Sequence, residues 1–210
     1  MYKFLNFFNN SITLEHVDII YPAITFIFAV LFFFLLVRRL FDYRIALLAS
    51  VCLTIVPGFL FRTMSGVSDK EALAMPLIFL SLYLFVVAMQ TKKIGMSLIV
   101  AVLSGIFTGL TALTWGGVVY ALVTIGSYAF FESLLLKFNK KDFFVYSIWT
   151  ISTLLIMAIF GGGRFSISNI ASSLTTGIML LAFLFSLINF LIAEKNIFRL
   201  RDRLEKINIP

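Results

Sequence analysis

Apolar residues in this chain run in long unbroken blocks, and polar residues gather in short links between them. The blocks cover about 19–37, 44–61, 71–90, 96–115, 117–136, 143–160 and 174–193. Each is close to the roughly 20 residues a helix needs to cross the hydrocarbon core of a bilayer. A segment in hydrocarbon must satisfy its own backbone polar groups, and a helix does so within one segment. The pattern therefore predicts an all-α fold: a polytopic transmembrane helical bundle of about seven spans. No link is long enough for a separate soluble domain, so 1–210 reads as a single transmembrane domain.

Composition agrees. The chain is 61% hydrophobic and 13% charged, with 25 phenylalanines. A soluble domain is about 45–50% apolar and about 25% charged. Residues 1–10 hold one lysine, no long apolar core and no small-residue cleavage site, which argues against a signal peptide. The lone Cys52 lies inside a span and reads as a small apolar filler. The lone His16 has no second histidine or cysteine beside it, so no metal is assigned to it.

The net charge of +7 suggests a nucleic-acid partner until it is mapped. Thirteen of the 17 basic residues fall in alternate links: Arg38, Arg39 and Arg44; Lys92 and Lys93; Lys137, Lys140 and Lys141; and five from Lys195 to Lys206. The other side holds Lys3, Arg62, Lys70 and Arg164. The positive-inside rule then puts the N-terminus outside and the C-terminus in the cytoplasm. The charge is thus a topology signal, and no nucleic acid is expected.

Three links face outside in that topology. The first, PGFLFRTMSGVSDKE from Pro57 to Glu71, puts Arg62, Asp69, Lys70 and Glu71 within ten residues at the membrane surface. Ionisable groups at a membrane mark functional candidates. Asp69 and Glu71 offer the oxygen ligands that Mg²⁺ or Mn²⁺ takes. The same residues fit a capping box, with Ser68 as N-cap and Glu71 reaching back to it. On a regular helix, positions i and i+2 point about 200° apart, so joint chelation needs Asp69 to remain outside the helix. The second link, Trp115 with Gly116 and Gly117, fits either a sugar-facing ring or an interfacial anchor. The third sets Arg164 after three glycines, either as an anion contact or as a plain loop charge.

The run IVPGFLFRTMSGVSDKEAL from Ile55 to Leu73 resembles the catalytic subunit of oligosaccharyltransferase, in an archaeal-like form. It looks like that family's second acidic motif, an arginine and a short Ser/Gly stretch followed by two acids at the head of a span. LTWGGVVY from Leu113 to Tyr120 resembles its tryptophan–glycine turn, and Tyr21-Pro22 also fits the family. The likeness is best over about 17–125, and the seven spans correspond to the family's spans two to eight. The resemblance implies transfer, with inversion, of an oligosaccharide from a lipid-linked phosphate or pyrophosphate donor to Asn in Asn-X-Ser/Thr. It implies Mn²⁺ or Mg²⁺ on Asp69 and Glu71, with Arg62 beside that cluster or the donor phosphate. Trp115 and Arg164 are the substrate-binding candidates, and the implied setting is the cell membrane with its active face outside.

The chain departs from the family in three places. It shows no external loop with a first catalytic aspartate, no later loop with a catalytic glutamate, and no adjacent tryptophan pair, since Trp115 and Trp149 stand apart. The expectation is an N-terminal membrane-domain fragment that is inactive alone. The residues also leave open a non-enzymatic scaffold, a small transporter, or another enzyme using lipid-phosphate sugars.

Overall fold

The computed structural model describes residues 13–67, 69–135, 138–165, 169 and 173–195. Regular structure among them is entirely helical: α1 (Leu14–Leu40), α2 (Tyr43–Ile55), α3 (Pro57–Arg62), α4 (Lys70–Gln90), α5 (Ile94–Thr114), α6 (Val119–Leu134), α7 (Lys140–Phe160) and α8 (Leu174–Lys195). Short 3₁₀ turns at Gly116–Val118 and Gly162–Phe165 precede α6 and follow α7.

Local chemistry sets the boundaries. Thr13 accepts a hydrogen bond from the His16 backbone N–H at 3.4 Å, and the His16 ring accepts one from the Thr13 N–H at 3.3 Å. The single histidine is therefore spent on starting α1. Asp42 starts α2 by accepting from the Ile45 N–H at 2.8 Å. Asn139 and Asp142 form a reciprocal capping box at the start of α7.

Five segments are long and apolar enough to cross a membrane: α1, α4, α5, the stretch Gly116–Leu134, and α7. The expected second span, 44–61, is divided. Val56 is extended (φ −65°, ψ 118°) because the ring of a following proline disfavours the helical region, and Pro57 then opens α3 as its first residue. The 13-residue α2 is only about 20 Å long, short of a core about 30 Å thick. Helix α8 has 22 residues, about 33 Å, and its described stretch Thr176–Leu191 is apolar. Five of the seven expected blocks are thus single helices long and apolar enough to cross, while the block 44–61 is covered by α2 and α3 together. Cys52 is also corrected: it is exposed, on the outer side of α2, and fills no core.

Helix α4 packs between α1 and α5, α5 packs on α7, and α6 pairs with α8. Lipid tails are as apolar as leucine, so these contacts rest on close approach and interhelical hydrogen bonds. Gly105 and Gly109 lie one turn apart on α5, against α7. A Cβ on Gly105 would sit 2.6 Å from Ser152 Cβ and 2.7 Å from the Trp149 carbonyl oxygen; one on Gly109 would sit 2.6 Å from Ile156 Cβ. Hydrogen bonds fix the register. Ser104 Oγ donates to the Ser81 carbonyl at 2.8 Å, joining α5 to α4, and Trp149 Nε1 donates to Thr108 Oγ1 at 3.0 Å, joining α7 to α5. Trp149 is fully buried between the rings of Phe85 and Tyr146. Tyr146 donates to the Met179 carbonyl at 2.9 Å, and Ser133 shares a 2.9 Å hydrogen bond with Ser186, tying α8 to α7 and α6.

The ends of the bundle are sorted as well. Lys141 Nζ donates to the carbonyls of Met89 and Thr91, which joins the start of α7 to the end of α4. The link after α3 lies against the start of α1, at the other end of α4. Substituting Gly105→Val or Gly109→Val is expected to lower the unfolding midpoint in detergent, at a cost of about 1–3 kcal/mol from overpacking. Gly95→Ala, where a Cβ meets open space, should leave the midpoint unchanged or slightly raised.

Candidate functional site

The head of α4 is built by a chain of local consequences that starts on α1. Pro22 has no N–H, so the Asp18 carbonyl, four residues earlier, loses its partner within the helix. The Gly66 N–H donates to that carbonyl at 3.1 Å, and Ser65 Oγ donates to the Ile19 carbonyl at 2.8 Å. Gly66 holds φ +84°, in the left-handed region that favours glycine. The link after α3 is thereby docked on the first turns of α1, and it delivers Asp69 to the start of α4.

Asp69 is the N-cap of α4, in extended conformation (φ −91°, ψ 145°), and its carboxylate accepts from the Glu71 N–H at 3.4 Å. The capping role expected of Ser68 with Glu71 thus belongs to Asp69; Ser68 lies outside the described residues. Because Asp69 stays out of the helix, the 200° separation that would keep the two acids apart does not apply. Both point at one group. Arg62 Nη1 lies 2.7 Å from Asp69 Oδ2 and 2.8 Å from Glu71 Oε1. Arg62 comes from the last turn of α3, so the break at Val56–Pro57 is what brings it there.

The cluster is open to water, with side-chain exposures of 43% for Arg62, 26% for Asp69 and 16% for Glu71. Solvent screening keeps the energy of such a pair small. Its effect on protonation is clear in direction. The Arg62 hydrogen bond holds the Asp69 carboxyl below the usual carboxylate range, and Asp69 with Glu71 raises the Arg62 guanidinium. Lys70 is exposed, and Glu71 pairs with Arg62.

The other two candidates are placed differently. Trp115 caps the end of α5, and its six-membered ring lies over Gly117, where a Cβ would come within 2.1 Å of ring carbons. Its ring centre is 6.3 Å from that of Tyr120. The Gly116–Gly117 turn therefore exists partly to seat this ring. Arg164 belongs to the Gly162–Phe165 turn, and its side chain lies outside the described residues. Tyr21, noted in the sequence beside Pro22 and not as a site residue, lies close enough to the head of α4 to interact with the Leu73 backbone and Asp69. The signal for this docking was Pro22, four residues past Asp18.

A family model described as oligosaccharyl transferase STT3, N-terminal, matches residues 1–200. The chain belongs to that family. Curated STT3 relatives agree at lower coverage. A subunit STT3B of dolichyl-diphosphooligosaccharide–protein glycosyltransferase from Arabidopsis thaliana is 29% identical over 123 residues, 58% of this chain and 16% of the relative. The STT3 subunit of Saccharomyces cerevisiae is 29% identical over 119 residues, 56% of this chain and 16% of the relative. The chain thus spans about one sixth of the length of these STT3 subunits. In fold it is similar to the Archaeoglobus fulgidus oligosaccharyltransferase solved with zinc and sulfate: TM-score 0.75, 24% identity, 93% of this chain and 27% of that one. A second structure of that enzyme, tethered to an acceptor peptide with an NVT sequon, matches with TM-score 0.72 and 24% identity over 89% of this chain and 24% of that one. Five helices long and apolar enough to cross a bilayer fit an integral membrane protein of this family.

The depressed Asp69 pKa gives a signed prediction. A carboxylate whose folded pKa is lowered contributes stability above its unfolded pKa and loses that contribution as pH falls through the folded value. In metal-free protein, the Asp69 carboxyl carbon should titrate by NMR below the ordinary carboxylate range and return to it in Arg62→Gln. Identical midpoints in the two proteins would refute the pairing. Gly66→Ala meets no steric neighbour, so its cost should be backbone strain alone, about 1–2 kcal/mol in thermal unfolding.

Proposed function

We propose that this chain is part of a membrane glycosyltransferase for protein N-glycosylation. The donor is an oligosaccharide on a lipid-linked phosphate or pyrophosphate, the acceptor is Asn in Asn-X-Ser/Thr, and transfer inverts the anomeric centre. The observation that carries this reading is the convergence of Asp69 and Glu71 on one point at the head of α4, in a chain of the STT3 family. The positive-inside rule places that point on the outer face of the cell membrane, where a lipid-linked donor and a translocated acceptor meet.

The donor set suits Mg²⁺ or Mn²⁺. Such hard cations take one or two carboxylates and complete their shell with water and substrate phosphate oxygens. Among the described residues no group of three or more metal-ligating side chains occurs, so Asp69 and Glu71 would supply part of the shell. When bound, the cation supplies Lewis-acid stabilisation of the departing lipid phosphate. Arg62 spans both carboxylates with a single nitrogen. It holds them convergent, and with a cation on the two carboxylates its guanidinium would be available to the donor phosphate. Asp69, fixed as a helix cap, and Glu71 are the residues that would hold the cation. Trp115 and Arg164 sit on the same face in this topology, as contacts for the sugar and for an anionic group of the donor.

Binding tests this directly. The purified chain in nanodiscs should retain a lipid-linked oligosaccharide in a Mn²⁺-dependent way. Asp69→Ala should weaken both Mn²⁺ and donor binding about tenfold or more, the value of losing one charged ligand. Arg62→Gln should tighten Mn²⁺ binding, seen by EPR, by removing the competing cation, while it weakens donor binding. Unchanged Mn²⁺ and donor binding in Asp69→Ala would sink the assignment. With an Asn-X-Thr peptide, the 210-residue chain alone is expected to yield no glycopeptide.

A further inference from the structure

The opposite end of α4 carries a second feature. Helix α4 has 21 residues, so its two ends stand about 30 Å apart. Near Gln90, α1, α4 and α6 enclose a groove of 410 Å³, within the roughly 300–1,000 Å³ of ligand pockets. Leu36 from α1 and Leu82, Phe85 and Met89 from α4 supply its apolar walls, while Gln90 and Tyr128 add polar tips. The groove lies away from the Arg62 cluster and takes no part in the reaction proposed above.

Charge surrounds this groove unevenly. In sequence, Arg38 and Arg39 fall between the lining residues Leu36 and Leu40 on α1, and Lys92 and Lys93 follow Gln90 after Thr91. All four are exposed. None of the four has a carboxylate partner among the described residues. The acids nearest Tyr128 are Glu132 and Asp142. Asp142 is already engaged in capping α7 and lies 3.9 Å from Lys141, and Lys141 itself is spent on carbonyls of Met89 and Thr91. Four exposed cations without a carboxylate partner among the described residues thus stand at the same end of the bundle as the apolar groove, where a bilayer presents phosphates above acyl chains. Basic residues near a membrane surface favour anionic lipid by about 1 kcal/mol each.

We propose that this groove seats one acyl chain of an anionic phospholipid from the leaflet at the basic end, with its phosphate among Arg38, Arg39, Lys92 and Lys93. The occupant is a bilayer lipid and not the sugar-carrying lipid, whose phosphate belongs to the Arg62 end. Seated there, it bridges α1, α4 and α6 where direct contact between α4 and α6 is sparse. The proposal is independent of the glycosyl-transfer reading and fails or stands separately from it.

Native mass spectrometry of the full chain released from nanodiscs of equal parts phosphatidylglycerol and phosphatidylcholine tests it. Phosphatidylglycerol adducts should exceed phosphatidylcholine adducts by about fivefold or more, the preference one basic contact supplies. Replacing Arg38, Arg39, Lys92 and Lys93 together by glutamine, all at exposed positions, should bring that ratio to about one. Thr124→Trp, at an exposed lining position, should reduce retention of both lipids by filling the groove. Equal retention of the two lipids by the unaltered chain, or a ratio that survives loss of the four cations, overturns the proposal. Undiminished retention in Thr124→Trp overturns the placement in the groove.

Discussion

Hydrocarbon removes the hydrophobic drive between helices, so this bundle depends on how closely α5 approaches α7. Gly105 and Gly109 permit that approach, and no Cβ fits at either position without displacing Ser152, Ile156 or the Trp149 backbone. Once the two helices touch, Thr108 reaches the Trp149 indole, and Ser104 meets Ser81 on α4. Each hydroxyl so placed is satisfied across an interface, where hydrogen bonds between membrane helices contribute about 0.6–2 kcal/mol. The position of α4 follows from α5, and α4 in turn carries both the acidic cluster and the walls of the lipid groove.

Two prolines then convert a packed bundle into a site. Pro57 forces Val56 out of the helical region and turns the chain so that Arg62 ends a short helix beside α4. Pro22 removes a donor from α1 and leaves the Asp18 carbonyl for Gly66. Neither residue touches a charged group of the cluster, yet the two fix where Arg62 and Asp69 meet. The result is a surface ion pair of little stabilising value, held where hard oxygen ligands converge.

The two ends of α4 divide the charges by task. At the Lys70 end, one guanidinium is shared by two carboxylates at short range. At the Gln90 end, cations accumulate without partners among the described residues, and an apolar groove opens beneath them. The charge asymmetry that sets topology also leaves the second end suited to anionic headgroups.

Much of this was legible in the residues. Block hydropathy set the helix boundaries to within a few residues for six of the seven blocks, because transfer of apolar side chains to lipid is a local property. The motif from Ile55 to Leu73 carried the family, since its residue types and order survive without knowledge of packing. The sequence did not decide the break at Val56 within an otherwise apolar block, because mean hydropathy is blind to one residue's backbone freedom. It also left open whether Asp69 or Ser68 caps α4. That choice turned on where the preceding link docks, and the dock depends on a carbonyl of α1 some fifty residues earlier. Nor could it show Asp69 and Glu71 sharing Arg62, Trp115 folded over Gly117, or the groove between α1, α4 and α6. Hydropathy and motif are properties of consecutive residues; convergence of groups from separate helices is a property of packing, and only the tertiary structure supplied it.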